Sequence, residues 1–143
     1  MITTVVILTF ATSGKADEAQ MTKEKYFSLM LPPGFTIRKE PSAEDFESYT
    51  VTDGKSKYVE IYVGNAPNYP QLKEANGGEM SAFGDSTLRL ISLWKKGELV
   101  ALEFLAVRLL SPDWPRYVHG WTVEGGGEMR LARQILLSIK VTD

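Results

Sequence analysis

The chain of 143 residues has no cysteine and a single histidine, His119. Without cysteine there are no disulfides, no thiolate metal sites, no Cys nucleophile and no acylated-Cys anchor. One histidine and no cysteine argue strongly against a structural zinc site, whose usual ligands are Cys and His. A basic excess is missing too. The net charge is −2 with both signs spread along the chain, which argues against a general nucleic-acid binder, since that needs a basic face. No apolar run is long enough to span a bilayer. Catalytic motifs are equally scarce. There is no Gly-x-Ser-x-Gly elbow for a Ser-His-Asp arrangement. Gly54-Lys55-Ser56 matches the end of a phosphate loop, but Tyr49 stands where the required glycine would be. Glu40, Glu44, Asp45 and Glu47 lack the spacing of an EF-hand and read as a solvated acidic face. This inventory implies no cofactor, and it points away from an enzyme.

What is present is a well-patterned scaffold of one-domain length, able to bury about 68–70% of its unfolded surface. Its centre is Ser86 to Leu110, two apolar runs folded back at Lys95-Lys96-Gly97. A three-residue hairpin loop with Gly97 in the left-handed region predicts the pairs Trp94/Glu98, Ser92/Val100, Leu90/Leu102 and Leu88/Phe104 on one face. On the other face that register sets Arg89 opposite Glu103. Neither face is polar, so both sides of the sheet require cover.

The rest of the chain is read in order. Val5-Val6-Ile7-Leu8-Thr9-Phe10-Ala11, followed by small residues and a polar tail, has the shape of a signal-peptide core with cleavage near Ala16 or Ala19. The positive charges that usually precede such a core are absent, and an N-terminal strand is the competing reading. Residues 1–19 are assigned to that segment and 20–143 to a single domain. Strands are predicted over Lys25–Leu31, Phe35–Lys39, Glu47–Thr52 and Lys57–Val63. Turns are set at Pro32-Pro33-Gly34 and Asp53-Gly54, and short helical turns at Ser42–Asp45 and Gln71–Ala75. Gly64 to Gly84 reads as a long crossover loop. Ser111–Pro115 is a turn, Arg116–Val123 a strand, and Gly125-Gly126-Gly127 a hinge. A helix starts near Glu128 with Met129, Ala132, Ile135, Leu136 and Ile139 on its apolar face. Lys140-Val141 closes the domain as a short strand or extended tail.

The most distinctive local chemistry is aromatic. Tyr117, His119 and Trp121 share one strand face, and Trp114 precedes them in a Pro-flanked turn. Such side chains serve as recognition anchors because they bury large area with few torsions to freeze. They also serve as ordinary core, and the sequence leaves both readings open. Tyr69, in the long loop, joins Trp114, Tyr117, His119 and Trp121 as a candidate binding residue.

The opening Tyr26-Phe27-Ser28-Leu29-Met30-Leu31-Pro32-Pro33-Gly34-Phe35 and the close Ala132-Arg133-Gln134-Ile135-Leu136-Leu137-Ser138-Ile139-Lys140 resemble the PsbP and Mog-type superfamily, with its PsbP-like and DcrB-like exported bacterial members. The resemblance spans Lys25 to Val141. It implies an α+β fold, an antiparallel β-sheet covered by helices as an α/β/α sandwich. It also implies a role in binding and assembly, with no shared catalytic residues to transfer. The resulting expectation is a non-enzymatic, periplasmic or secreted module recognising a protein or envelope component, with no integral membrane segment. The alternatives are a small hydrolase or ligand-binding enzyme using His119, and a cytosolic partner of a GTPase-like protein. The sequence leaves the oligomeric state open.

Overall fold

A computed structural model of the chain describes residues 18–83, 86–110 and 113–142. The apolar run at 5–11 and the cleavage point near Ala16 lie outside them. Ten strands and one helix are present among the described residues: β1 Gln20–Lys23, β2 Phe27–Leu31, β3 Thr36–Glu40, β4 Phe46–Thr52, β5 Lys57–Gly64, β6 Gly77–Phe83, β7 Ser86–Lys95, β8 Glu98–Arg108, β9 Tyr117–Thr122, α1 Met129–Leu137 and β10 Lys140–Val141. They form a three-stranded sheet, β1-β2-β10, and a seven-stranded sheet, β3-β4-β5-β9-β8-β7-β6. Every pairing is antiparallel.

The expected α/β/α sandwich is overturned. Among the described residues strands predominate and α1 is the one helix, so the protein is mostly β with two antiparallel sheets. The second helical layer does not form. Residues 41–45 make only a turn, and 71–75 are not helical. In the latter stretch the amides of Gln71 and Leu72 bond to the Glu103 carboxylate instead of to a helix. A second sheet, built on the β2 motif, takes part of the covering role.

Alternation explains where the core sits. Tyr49, Val51, Val59, Ile61, Val63, Leu102, Phe104, Ala106 and Val118 point to one side of the large sheet and are buried there. Phe27, Leu29 and Leu31 of β2 meet them, Phe27 edge-on to Tyr49 at 5.1 Å. Helix α1 adds Ala132, Ile135 and Leu136, each large side chain contributing about 1.5–3 kcal/mol through its lost apolar surface. Gly120 is required at this contact. A Cβ there would lie 2.5 Å from Phe104 Cε1 and 3.2 Å from Leu136 Cδ1. The two stretches that carry the family resemblance touch: the Met30 amide donates to Ser138 Oγ at 2.9 Å, and β10 pairs with β2.

The β7–β8 hairpin keeps its predicted faces from Leu88 to Leu93 but not its register, and at the tip Trp94 faces Leu99 rather than Glu98. The turn has two central residues, Lys96 and Gly97, with φ of 52° and 77°, the type I′ geometry that matches strand twist. Lys95 faces Glu98, and the register shifts between Leu93 and Trp94, with Val100 the extra residue. Beyond that bulge Leu90 faces Phe104 and Arg89 faces Leu105 rather than Glu103. A shift of two residues preserves faces, so alternation alone does not reveal it.

The topology creates a further element. After β5, the third strand of the seven, the chain jumps to the far edge and returns through β6, β7 and β8 to β9 at the centre. Residues 65–76 are a strap carrying the chain past β9, β8 and β7. Gly77–Phe83, read from the sequence as the end of a loop, is a strand. β1 is likewise new, since its residues open the domain and no element had been assigned to them.

Candidate functional site

The strap crosses the side of the large sheet that α1 does not cover, and a buried polar pair lies beneath it. Glu103 of β8 and His119 of β9 are both 0% exposed. His119 Nε2 lies 2.5 Å from Glu103 Oε1. The Gln71 amide donates to Oε1 at 2.7 Å and the Leu72 amide to Oε2 at 2.8 Å. Withdrawing an ionised carboxylate from water costs several kcal/mol unless hydrogen bonds replace its hydration. Three donors do so here, and bonds to a charged acceptor are the stronger kind. Burial pushes the Glu103 pKa up, but the His119 and amide hydrogen bonds outweigh it and hold the carboxyl below its ordinary value. His119 Nδ1 is buried with no hydrogen-bond partner among the described residues.

Aromatic rings close the pair in. Tyr69 of the strap meets His119 edge-on at 5.6 Å, and Trp121 lies tilted against it at 4.7 Å. Burial raises the Tyr69 pKa; Arg89 opposes that rise and Glu103 adds to it. The strap is also tied at its ends. Asn65 Oδ1 accepts the Arg116 amide at 2.8 Å, and the Asn76 side chain bonds both the N and the O of Trp94 at 2.9 Å.

The structure therefore brings Tyr69, His119 and Trp121 together. Tyr117 sits on the same side of β9, half-buried, with the Arg116 guanidinium 5.9 Å from its ring. Trp114 belongs elsewhere. Its indole N–H donates to the Asp45 carbonyl at 2.9 Å, and its ring meets Tyr26 edge-on at 5.6 Å. It clasps the β3–β4 connection to the β2 end of the small sheet and remains 36% exposed. Glu103 is the member that sequence reasoning missed, having been assigned to Arg89. The available signal was a lone carboxylate inside Leu99-Val100-Ala101-Leu102-Glu103-Phe104-Leu105.

The remaining sequence candidates have structural roles. The Gly126 and Gly127 amides donate to the Val123 and Lys57 carbonyls, so they are not free to meet an anion. Gly127 is packed so closely on the Tyr58 ring that a Cβ would overlap it; the segment is a tight joint rather than a hinge. In the acidic stretch, Glu40 pairs with Arg38 and Glu47 with Lys39. Among the described residues no group of three His, Asp or Glu side chains is placed to hold a metal ion, and no helix is long and apolar enough to cross a membrane. Comparison with protein-family models, with curated proteins and with solved structures gives no match.

Proposed function

We propose that the chain is a non-catalytic binding module that recognises a protein partner through the strap side of its large sheet. The observation that carries this reading is the incomplete cover on that side. The strap buries Glu103 and His119 but leaves Tyr62, Leu105, Val107, Tyr117 and Trp121 half-buried around them. Half-exposed aromatics on a rigid sheet are pre-organised anchors, and little entropy is lost when a partner covers them. Tyr69 belongs to this surface. Trp114 is committed to the clasp and contributes only its exposed edge.

A hydrolase reading would need His119 open to substrate beside a nucleophile. The imidazole is instead sealed beneath the strap with its Nε2 committed to Glu103, which favours the binding role. Export is part of the same proposal, resting on the apolar run at 5–11 and the small residues after it. N-terminal sequencing of the protein recovered from its native compartment tests it, and an intact Met1 would refute cleavage.

The binding role is tested by affinity capture with the wild-type chain and with the Tyr69→Ala/Trp121→Ala double variant. Loss of the captured partner in a variant that still melts cooperatively is the expected outcome. Full retention would refute the assignment of the surface.

A further inference from the structure

The α1 side of the large sheet is also incompletely covered, at a different place. A helix about 10 Å across spans roughly two strands spaced about 4.8 Å apart. Helix α1 packs on β5, β9 and β8, with β2 at its flank. On that same side of β7, Leu88 and Leu90 are only partly buried, and Trp94 is 44% exposed. Between the hairpin end and α1 runs a groove of about 570 Å³. Trp94, Met129 and Leu137 give it apolar walls, Arg130 and Arg133 line one rim, and Glu98 lies on the other.

Two features set this groove apart from an incidental crevice. Trp94 is held rigidly although exposed. The Asn76 side chain fixes its backbone on both sides, and its indole N–H donates to Ser92 Oγ at 3.0 Å. Leu137, on the outer side of α1, is 50% exposed where a polar residue would suit solvent. The charge is net positive, Arg130 and Arg133 outnumbering Glu98 in the lining. Among the described residues Arg130 pairs with Glu128 alone, at 3.2 Å in open solvent, and Arg133 makes no ion pair. Lys95 and Lys96 stand exposed at the adjoining turn.

We propose that this groove docks an acidic peptide segment of a partner protein, an apolar side chain entering between Trp94 and Leu137 while carboxylates meet Arg130 and Arg133. Charge complementarity selects the sign of the segment. Glu98 in the lining would repel a uniformly anionic bilayer, whereas a peptide can set its carboxylates on the arginine side alone. Bidentate Arg–carboxylate geometry supplies orientation, and the pre-set indole supplies the anchor.

The test is fluorescence anisotropy of the full chain with a labelled synthetic peptide of alternating Leu-Leu and Glu-Glu pairs. Saturable binding is expected, with none for the version carrying Lys in place of Glu. Affinity is expected to fall roughly tenfold or more in Trp94→Ala, to be lost in the Arg130→Glu/Arg133→Glu variant, and to weaken as salt is raised. The substituted side chains are exposed, so the melting temperatures should match the parent; if Trp94→Ala fails to fold, the double charge reversal decides. Equal affinity for acidic and basic peptides, indifference to both variants, or no binding overturns the proposal. So does a groove that these variants show to be occupied by a second copy of the chain in sedimentation, or by anionic vesicles in co-sedimentation.

Discussion

On the side of the large sheet that faces α1, Val51, Val59, Ile61, Val63 and Val118 have no exposed surface. On the opposite side the side chains sealed at the centre are Glu103 and His119, and the neighbours Tyr117 and Trp121 are half open. The same strands build both sides. On the first, cover is apolar and broad, supplied by a helix and a second sheet, and stability follows area. On the second, cover is a strap of irregular backbone that cannot satisfy its own amides. A strand carboxylate must accept them, and a histidine must accompany the carboxylate. Polar burial here is the consequence of drawing a loop across a sheet.

The comparison can be broken at the polar pair first. Glu103→Ala removes the acceptor for two strap amides and the partner of His119. Breaking a buried pair costs about 3–5 kcal/mol, and urea denaturation should register a loss of that order. Glu103→Gln keeps one acceptor oxygen and should lose less. Hydrogen exchange adds the sharper readout: in Glu103→Gln the Gln71 and Leu72 amides should lose protection while those of α1 keep theirs.

On the apolar side Ile135→Ala should cost about 2–5 kcal/mol by the same denaturation assay. Its loss should be global, without selective exposure of the strap. Gly120→Ala presses a methyl group on Phe104 and should cost about 1–3 kcal/mol.

Acid should separate the two sides more gently. The Glu103 carboxyl titrates below its ordinary value of 4.5 in the folded chain, so the unfolded chain takes up the proton first and stability rises with pH across that interval. The contribution is complete above the ordinary value and fades as pH falls through the folded one. The urea midpoint should therefore drop from pH 6 towards acid, and Glu103→Gln should flatten that drop. The smallest expected effect is at Arg89. It faces Leu105 and is exposed, so Arg89→Ala should change stability by no more than about 0.5 kcal/mol. A double-mutant cycle with Glu103 should show little coupling, whereas a large coupling would restore the simple hairpin register.

The sequence carried the α1 side well. Period-two alternation marked Val59, Ile61 and Val63, and helical spacing marked Ala132, Ile135 and Leu136, because each pattern reports its own burial. The strap side was less legible. Glu103 looked like half of a cross-strand pair with Arg89, since the bulge at Val100 shifts partners without exchanging faces. The strap's amides cannot be assigned an acceptor from local sequence, because their partner lies some thirty residues away. Gly77-Gly78 disguised β6 as loop, and β1 carries no alternation strong enough to separate it from a polar tail. The helices implied by the family resemblance had only short helical turns at Ser42–Asp45 and Gln71–Ala75 as local support, and neither segment forms a helix.

The order of strands also sets a schedule for biosynthesis. β5 ends at Gly64, and its neighbour β9 is completed only at Thr122. At elongation rates of about 5–20 residues per second, roughly three to twelve seconds separate the two on the ribosome. Throughout that interval the nascent β3-β4-β5 meander offers an unpaired, valine-rich border to any other emerging chain. Unpaired strand edges of this kind are prone to aggregate while folding is incomplete.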